Sequence, residues 1–344
     1  MDARPEDADL AADDDDRFSS EAFDYELPPE AIGQVPAEPR DSARLLIDGE
    51  PIRHATVADL AAELRAGDLV VVNDTKVLPA RFHLTKPTGG AIEVLLLEPT
   101  GRHREWRALV KPGKRLRVGA LLELAGSPVM EIIDQLDDGR RVVRLLADDL
   151  LERSGEVPLP PYITTPLTDP KRYQTIYAND PGSVAAPTAG LHLTPAVFRA
   201  ARERGVEIAR VDLRVGLGTF RPISTDSVLD HEMHAETYRV APQVWDRIQS
   251  AKRVVAVGTT TVRTLESVAA TGELEGATEL FIHSGFDWKV VDALMTNFHV
   301  PRSSLLVMID AFIGPRWREI YRTALDEGYR FLSFGDAMLL ERRT

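Results

Sequence analysis

The chain has 344 residues, of which 44% are hydrophobic and 28% charged, so it can form two globular domains with buried cores. It contains no cysteine, which excludes disulfides, thiolate metal sites, iron–sulfur clusters and a cysteine nucleophile. Its formal net charge is −13; it shows no leader sequence, and no apolar run approaches the roughly 18 residues that cross a bilayer, which predicts a cytoplasmic protein without a membrane segment.

The chain begins with an acidic head, residues 1–22. Ten acids fall within residues 1–24 against Arg4 and Arg17, and few apolar residues accompany them. This composition predicts a disordered, solvated tail without a catalytic role. Residues 23–44 contain four prolines and are expected to be extended. Helical spacing follows over residues 57–65.

From Asp68 the pattern changes to short strand-like runs separated by glycine, proline and aspartate clusters. The runs are LVVVN, ARFHLT, AIEVLLLE, EWRALV, LLEL, VMEIID and RVVRLL. Their regular spacing predicts a small antiparallel β-barrel over residues 67–148. We interpret it as an insertion, because the Pro-rich segment after it returns the chain to a different pattern.

The remainder of the chain alternates between helical and strand-like segments, which predicts a layered α/β domain formed by residues 23–66 and 149–344. The best helix signal is 194–205, where Thr194 can cap, Pro195 suits the first turn and Gly205 suits the exit. The other predicted helices are 241–251, 259–270 and 316–327. The predicted strands are 206–215, 254–257 and 279–282.

The first stretch that can carry chemistry is GSVAAPTAGLHLT, residues 182–194. Its small residues, Gly190 among them, let the backbone approach a ligand closely. His192 then lies just before a helix. A capped loop with a structural histidine explains the same pattern equally well.

The second stretch is VGLGTFRP, residues 215–222, with Gly216 and Gly218 after a predicted strand. It lacks the third glycine of a dinucleotide-binding fingerprint, and Pro222 blocks the helix that this fingerprint requires. We therefore reject a nicotinamide site and expect a strand-end loop beside a ligand crevice.

The third stretch, HEMHAE, contains His231, His234 and Glu236. The two histidines are three residues apart, an offset that places them on one face if the segment is helical. Two solvated histidines, a metal site and a substrate-binding or acid–base site are all compatible with this pattern.

The fourth pair of stretches is VVAVGTTTVRTLE and TNFHVP. A buried strand, a glycine and three threonines that open a helix present free amides to an anion, with Thr260 in the first turn and Arg263 one turn further on. A plain threonine cap is the common alternative. Asn297 and His299 belong to the second of these stretches.

The predicted barrel also carries a basic strip around Trp106, opposed only by Glu105 between residues 102 and 117. Strand alternation brings some of these cations to one face, where they can meet RNA phosphates. A solvated charged face is the alternative. The cations assigned to tRNA binding are Arg104, Arg107, Lys111, Lys114 and Arg115.

Taken in order, these stretches resemble the S-adenosylmethionine:tRNA ribosyltransferase-isomerase family of queuosine biosynthesis. The resemblance extends from about Phe23 to the C-terminus. Besides the stretches quoted above, it rests on FDYELPPE, PRDxxRLL, GDLVVxNDTKVxPAR, GEVPLPPYI, VDALxTNFHxP and YRFxSFGDAML. The family's fold is an α/β/α sandwich with an inserted β-barrel.

The resemblance implies transfer of the ribosyl part of S-adenosylmethionine to 7-aminomethyl-7-deazaguanine in tRNA. The product is epoxyqueuosine, and methionine and adenine leave. S-adenosylmethionine is then a cosubstrate, and neither a cofactor nor a metal is needed. Within this framework His192 and His299 are the proton-transfer candidates. The substrate-binding candidates are Gly190, Gly216, Gly218, Thr219, Phe220, His231, His234, Glu236, Thr260, Arg263 and Asn297.

Two positions depart from the family pattern. Arg214 stands where the family usually has a histidine, and Leu193 replaces an aromatic residue. A paralogue acting on another deazapurine or nucleic acid is therefore one alternative. A metal-dependent hydrolase using His231 and His234, and an RNA-binding module without catalysis, are the others. A monomer is expected, because no coiled coil or exposed apolar repeat is visible.

Overall fold

The computed structural model describes residues 16–113, 116–216 and 222–343. The helices are α1 Leu60–Glu63, α2 Leu150–Ser154, α3 Pro195–Glu203, α4 Pro242–Ser250, α5 Thr259–Thr271, α6 Ser304–Ile313 and α7 Trp317–Asp326. The strands are β1 Arg44–Ile47, β2 Arg53–Thr56, β3 Asp68–Asn73, β4 Thr75–Val77, β5 Arg81–Thr85, β6 Ala91–Pro99, β7 Glu105–Lys111, β8 Leu121–Leu124, β9 Ser127–Gln135, β10 Arg141–Leu145, β11 Asp180–Ser183, β12 Glu207–Leu213, β13 Glu236–Arg239, β14 Arg253–Val257, β15 Glu275–Thr278, β16 Ala293–Asn297 and β17 Ala337–Glu341.

Within the described residues, nine strands form one large sheet in the order β15-β13-β12-β3-β14-β16-β17-β1-β2. Its central strands β12, β3, β14 and β16 pair in parallel, whereas β17 runs antiparallel to β16. Strand β3 reads DLVVVN and is buried along its whole length. A nearly continuous apolar run of this kind is what a parallel strand covered on both faces requires.

Alternate residues of the central strands enter two separate cores. Val71 and Ala256 belong to the core that contains residues of α4, α5, α6 and α7. Their neighbours Val70 and Val255 pack with α1 and α3 on the opposite face. Because successive strand residues point to opposite faces, helices cover the sheet on both sides. The predicted α/β/α sandwich is confirmed.

Strands β5 to β10 form a closed barrel in the order β10-β7-β6-β5-β8-β9, inserted between β4 and α2. All neighbours in it are antiparallel. The inserted barrel is therefore present, but its predicted start at residue 67 is wrong, because β3 lies in the centre of the large sheet. The run LVVVN predicts a strand without indicating which sheet it joins.

The disorder predicted for residues 1–22 is wrong for residues 16–22, while residues 1–15 lie outside the described part of the chain. The amide of Ser20 donates to the Asp226 carbonyl at 2.8 Å. Phe18 and Ala22 pack against the larger core. These apolar side chains outweigh the acidic composition and hold the segment on the domain.

Most predicted elements of the larger domain are present: β12, α4, β14, α5 and α7 fall within a few residues of the predicted bounds. Helix α3 begins as expected, since the Thr194 hydroxyl accepts from the Val197 amide at 3.3 Å. The strand predicted over 279–282 is wrong. Strand β15 ends at Thr278, and the buried Ile282 packs into the core from a loop.

Candidate active site

A cleft of about 580 Å³ opens at the carboxyl ends of the central strands. The chain places β12 on one side of β3 and then β14 on the other, so the strand order reverses beside β3. Ligands of open α/β sheets bind at the carboxyl edge near such a reversal. The lining residues are Tyr162, 186–189, Val215, 258–260, 296–300, Leu305 and 332–333.

Helix α5 begins in the wall of this cleft. Gly258 precedes it with φ +87°, a conformation that residues with a side chain rarely adopt. Thr259 and Thr260 line the cleft, and the amides at a helix start have no carbonyl of their own helix to bind. Thr260 Oγ1 accepts a hydrogen bond from the Asn73 amide at 3.2 Å. Free amides and the positive end of the helix dipole suit an anionic group.

Asn297 ends β16 and supplies the cleft with an oriented amide. Its Oδ1 accepts from the Thr188 hydroxyl at 3.2 Å. Its Nδ2 donates to the Asp336 carbonyl at 3.2 Å and to His192 Nε2 at 3.0 Å. Because three partners surround it, the amide has one satisfied orientation.

His192 lies behind Asn297 and is not part of the cleft wall. It is buried at the end of the short turn Thr188–His192. Burial, and secondarily the charges of nearby arginines, lowers the pKa of this imidazole to about 4. His192 is therefore neutral at pH 7, and its unprotonated Nε2 accepts the hydrogen bond from Asn297.

His299 lies in the cleft wall itself. Its Nε2 is 3.2 Å from Thr296 Oγ1. Its backbone is held from both sides: the amide donates to the Tyr321 hydroxyl at 3.0 Å, and the carbonyl accepts from the Tyr25 hydroxyl at 2.5 Å. Burial lowers the pKa of the imidazole to about 3. The cleft thus presents a neutral, rigidly held histidine.

Three polar residues in or next to the cleft are not recognisable as site residues from composition or spacing. The hydroxyls of Tyr162 and Ser333 lie 2.6 Å apart on its wall. Asn73, at the end of β3, orients the Thr260 hydroxyl. All three belong to motifs that carry the family resemblance, and this is the one signal that could have identified them.

Glu236 and Arg263 form an ion pair with both side chains buried. Glu236 Oε1 also accepts from the Gly216 amide at 2.9 Å, and Arg263 Nη2 donates to the Thr278 carbonyl at 3.3 Å. Neither side chain lines the cleft. The guanidinium of Arg263 neutralises Glu236, which holds Gly216, so anion binding by Arg263 stays a prediction without support from the cleft geometry.

The chain resembles known proteins over nearly its whole length. A family profile described as "Queuosine biosynthesis protein" matches residues 20–340. The S-adenosylmethionine:tRNA ribosyltransferase-isomerase of Rubrobacter xylanophilus is 49% identical, covering 93% of this chain and 97% of that protein. The protein of the same name from Gloeobacter violaceus is 47% identical, covering 95% and 97%. The chain belongs to the queuosine biosynthesis protein family.

A solved relative adds structural support to this membership. The crystal structure of an S-adenosylmethionine tRNA ribosyltransferase from Thermotoga maritima matches with a TM-score of 0.52 at 36% identity. The match covers 92% of this chain and 99% of that one. The family predicted from the motifs is thereby confirmed, and with it the assignment as an enzyme.

The two histidines of HEMHAE lie outside the cleft of this family member. They follow the turn Val228–Asp230 in a loop, so the helical geometry considered for them is wrong. The His231 ring contacts Phe281 edge to face at 5.8 Å, and His234 is exposed. Burial, and secondarily His234, lowers the pKa of His231.

Of the glycines predicted to bind the substrate, Gly190 and Gly216 lie among the described residues. At Gly190 a Cβ atom would lie 2.0 Å from the Tyr177 hydroxyl, so this glycine is required by packing. Gly216 is held by Glu236 through its amide. Gly218, Thr219 and Phe220 lie outside the described residues.

The cations of the basic strip are less available to bind RNA phosphates than the composition of the strip indicates. Arg104 pairs with Asp148, and Arg107 Nη1 lies 2.7 Å from Glu98. Lys114 and Arg115 lie outside the described residues. Lys111 is exposed at the end of β7 and lines a second cleft. Surface ion pairs of this kind are weak, so they reduce phosphate binding without preventing it.

The two departures from the family pattern do not line the cleft. Leu193 is buried in the core on the face of the sheet covered by α1 and α3, where an apolar residue fits. Arg214 is half-exposed, and its Nε lies 3.8 Å from Asp212. Its side chain covers Gly182, where a Cβ atom would come within 2.7 Å of it. Arg214 directly precedes Val215, which lines the cleft.

Two global features follow from the described part of the chain. Within it, no group of three or more histidine, aspartate and glutamate side chains could hold a metal ion. The metal interpretation of His231 and His234 has no third ligand in Glu236, which is bound to Arg263. Across the same residues, no helix has the length and apolar character to cross a membrane.

Because His192 and His299 are buried, we expect the folded protein to lose stability at acid pH. Their folded-state pKa values, about 4 for His192 and about 3 for His299, lie below the unfolded value of 6.5. Folding thus favours the neutral form, so the stabilisation is complete above pH 6.5 and is lost as pH falls towards 4. We expect each histidine to lower the free energy of unfolding by about 2 kcal/mol at pH 5 relative to pH 8.

The measurement is urea unfolding at pH 8 and pH 5 for the wild type, His192→Gln and His299→Gln. Each glutamine keeps a polar partner and cannot become protonated, so the loss at pH 5 should shrink in both variants. His103→Gln is the matched control, because that side chain is 79% exposed. An unchanged acid loss in both buried variants would contradict the prediction.

Proposed function

We propose that the chain is an S-adenosylmethionine:tRNA ribosyltransferase-isomerase. It transfers the ribosyl part of S-adenosylmethionine to 7-aminomethyl-7-deazaguanine in tRNA, isomerises it to give epoxyqueuosine, and releases methionine and adenine. The observation that carries the proposal is one cleft that combines a helix start, an oriented amide and a rigid neutral histidine. The curated relatives of this chain bear the name of this activity.

The start of α5 is suited to the methionine end of the cosubstrate. The Thr259 and Thr260 amides, at the positive end of the helix dipole, would bind the methionine carboxylate. The Thr260 hydroxyl is already oriented by Asn73. This contact replaces the predicted one from Arg263, whose charge is neutralised by Glu236.

The opposite wall is suited to the reacting nucleoside. S-adenosylmethionine supplies a sulfonium that acidifies the neighbouring ribose C5′ hydrogens and leaves as neutral methionine. His299 is the proposed proton-transfer group, since it is neutral and lines the cleft. Asn297 orients the substrate by hydrogen bonds, and His192 positions Asn297. Fixing these groups before binding removes part of the entropic cost of the reaction.

The neutral state of His299 matters for this role. A cation in the cleft would repel the positive sulfonium, whereas a neutral imidazole can accept a proton. Burial, which lowers the pKa of His299, also keeps the cleft free of that competing charge. The hydroxyl pair of Tyr162 and Ser333 offers further donors for ribose oxygens.

We further propose that S-adenosylmethionine is consumed as a cosubstrate, without a separate cofactor, and that the enzyme acts as a cytoplasmic monomer where tRNA is available. The alternative of a shifted deazapurine substrate depended on Leu193 and Arg214. Neither is among the described residues that line the cleft, and this favours the family's own substrate.

The test incubates the purified chain with S-adenosylmethionine and tRNA bearing 7-aminomethyl-7-deazaguanine. Nucleoside analysis by mass spectrometry should show epoxyqueuosine, with adenine and methionine released in equal amounts. Unmodified tRNA of the same sequence is the control. Tight, salt-sensitive tRNA binding without consumption of S-adenosylmethionine would contradict the proposal and indicate an RNA-binding module instead.

A further inference from the structure

A second cleft, of about 780 Å³, lies between the barrel and the α/β domain. One wall consists of Leu95 and Leu109 of β6 and β7, with Arg81, Glu93 and Lys111 around them. The other wall is the segment 158–161, which reads PLPP, together with Ala185. The described side chains therefore combine an apolar floor with charged groups at its margin.

The strand register explains how these side chains share one surface. Leu95 is paired with Arg81 on one side and with Leu109 on the other, forming one row across three strands. Glu93 and Lys111 are paired in the row two residues further on. Because alternate strand residues point to the same face, both rows face the cleft.

The second cleft continues directly from the candidate active site. Ala185 lines the second cleft, and its neighbour Ala186 lines the first. Pro161 and Tyr162 repeat this arrangement on the other side. Adjacent Cα atoms are about 3.8 Å apart, so the two clefts share a boundary only one residue wide. A polymer whose reacting base occupied the first cleft would have its next unit beside this boundary.

The charges of the second cleft favour a polyanion. Arg81 and Lys111 oppose the single acid Glu93. Arg81 is partly engaged, with Nη2 donating to the Leu159 carbonyl at 3.3 Å and Nε 3.9 Å from Glu93. Lys111 is exposed, and no carboxylate of the described residues lies within 4 Å of it. It remains available for a phosphate.

The geometry points to a binding site for the nucleotide that adjoins the modified base in the tRNA anticodon loop, an inference that rests on the proposed function. The base of this nucleotide packs on the partly buried Leu109, which lies over the core residue Leu95, beside the Arg81 guanidinium plane, and its phosphate binds Lys111. Single-stranded RNA is recognised in this way, through exposed base faces and backbone charge.

The test compares Lys111→Glu with Arg102→Glu, an identical charge change in the same barrel at a side chain that is 82% exposed and lies three residues before β7, whereas Lys111 ends it. We expect Lys111→Glu to raise the KM for tRNA about tenfold and to reduce the salt dependence of tRNA binding by a slope of about 1. The KM for S-adenosylmethionine and the kcat at saturating tRNA should be unchanged. Lys111→Gln should shift the tRNA KM less, in the same direction.

A photocross-link gives an independent measurement. An anticodon stem-loop carries the deazaguanine at the wobble position and 4-thiouridine at the adjoining position. Irradiation should link it to peptides from residues 105–111 or 158–161. Cross-links confined to other regions, equal effects of the two charge reversals, or a raised KM for S-adenosylmethionine in Lys111→Glu would overturn the inference.

These outcomes are separable from failure of the proposed function. If the wild type consumes no S-adenosylmethionine, the function fails, yet stem-loop binding and cross-linking still decide whether the second cleft holds RNA. Thermal unfolding of Lys111→Glu and Arg102→Glu shows whether either variant is misfolded. If Lys111→Glu is misfolded, the tRNA KM of Lys111→Gln tests the inference instead.

Discussion

His299→Ala is expected to lower kcat by about 10²- to 10⁴-fold, the usual contribution of a positioned acid–base group. Of the described residues that line the first cleft, His299 is the one histidine. Its backbone is fixed by Tyr25 and Tyr321, so truncating the side chain removes the imidazole without moving the wall. The measurement is the single-turnover rate of adenine release with both substrates saturating, alongside the melting temperature.

The matched comparison is His192, which should behave as a positioning residue. His192→Ala leaves the Asn297 amide without one of its acceptors and should also reduce turnover. His192→Gln restores an acceptor and should recover most of the activity, whereas His299→Gln should not. Near-wild-type turnover in both alanine variants would remove the assignment. Recovery by glutamine at position 299 would make His299 a positioning residue as well.

The different positions of these two histidines illustrate what the sequence could not decide. His192 lies just before a helix in a stretch of small residues, His299 belongs to TNFHVP, and the family resemblance makes both proton-transfer candidates. Their distinction depends on whether Asn297 intervenes between the side chain and the cleft. That is a tertiary property, which arises because β16 brings Asn297 against the turn that ends at His192.

The fold was largely predictable, because its signals are local. Alternating helical and strand patterns, the Thr194 cap and the seven strand-like runs are set by neighbouring residues. The errors are non-local. Strand β3 joins the large sheet only because residues more than a hundred positions later pair with it. Residues 16–22 are ordered because distant core residues cover Phe18.

The ion pair of Arg263 could not be predicted from the sequence for the same reason. A guanidinium one turn inside a helix that begins at an anion site predicts a ligand contact. Its partner, Glu236, is 27 positions away and belongs to a motif that looks like a metal or substrate site. Burial decides between these interpretations, since a buried cation must be paired. The sequence indicates neither residue's burial.

Breaking this pair is expected to destabilise the protein strongly. Arg263→Met leaves the Glu236 carboxylate buried without its cation, and losing one partner of a buried pair costs about 3–5 kcal/mol. Arg247→Met is the matched control, because its pair with Glu207 is largely exposed and should contribute about 1 kcal/mol or less. Urea unfolding at pH 7.5 measures both. A loss equal to that of the control would contradict the assignment.

The double variant separates stability from function. Glu236→Leu combined with Arg263→Met removes both charges, so much of the stability should return. The Gly216 amide still loses its acceptor, because leucine cannot replace the Glu236 oxygen that lies 2.9 Å away. If the loop that begins at Gly216 helps to bind the cosubstrate, the double variant should bind S-adenosylmethionine about 10- to 100-fold more weakly, since a lost hydrogen bond to a charged group costs about 1.5–3 kcal/mol. Calorimetric titration of S-adenosylmethionine gives this Kd. Wild-type affinity in a stable double variant would show that the buried pair serves the fold alone.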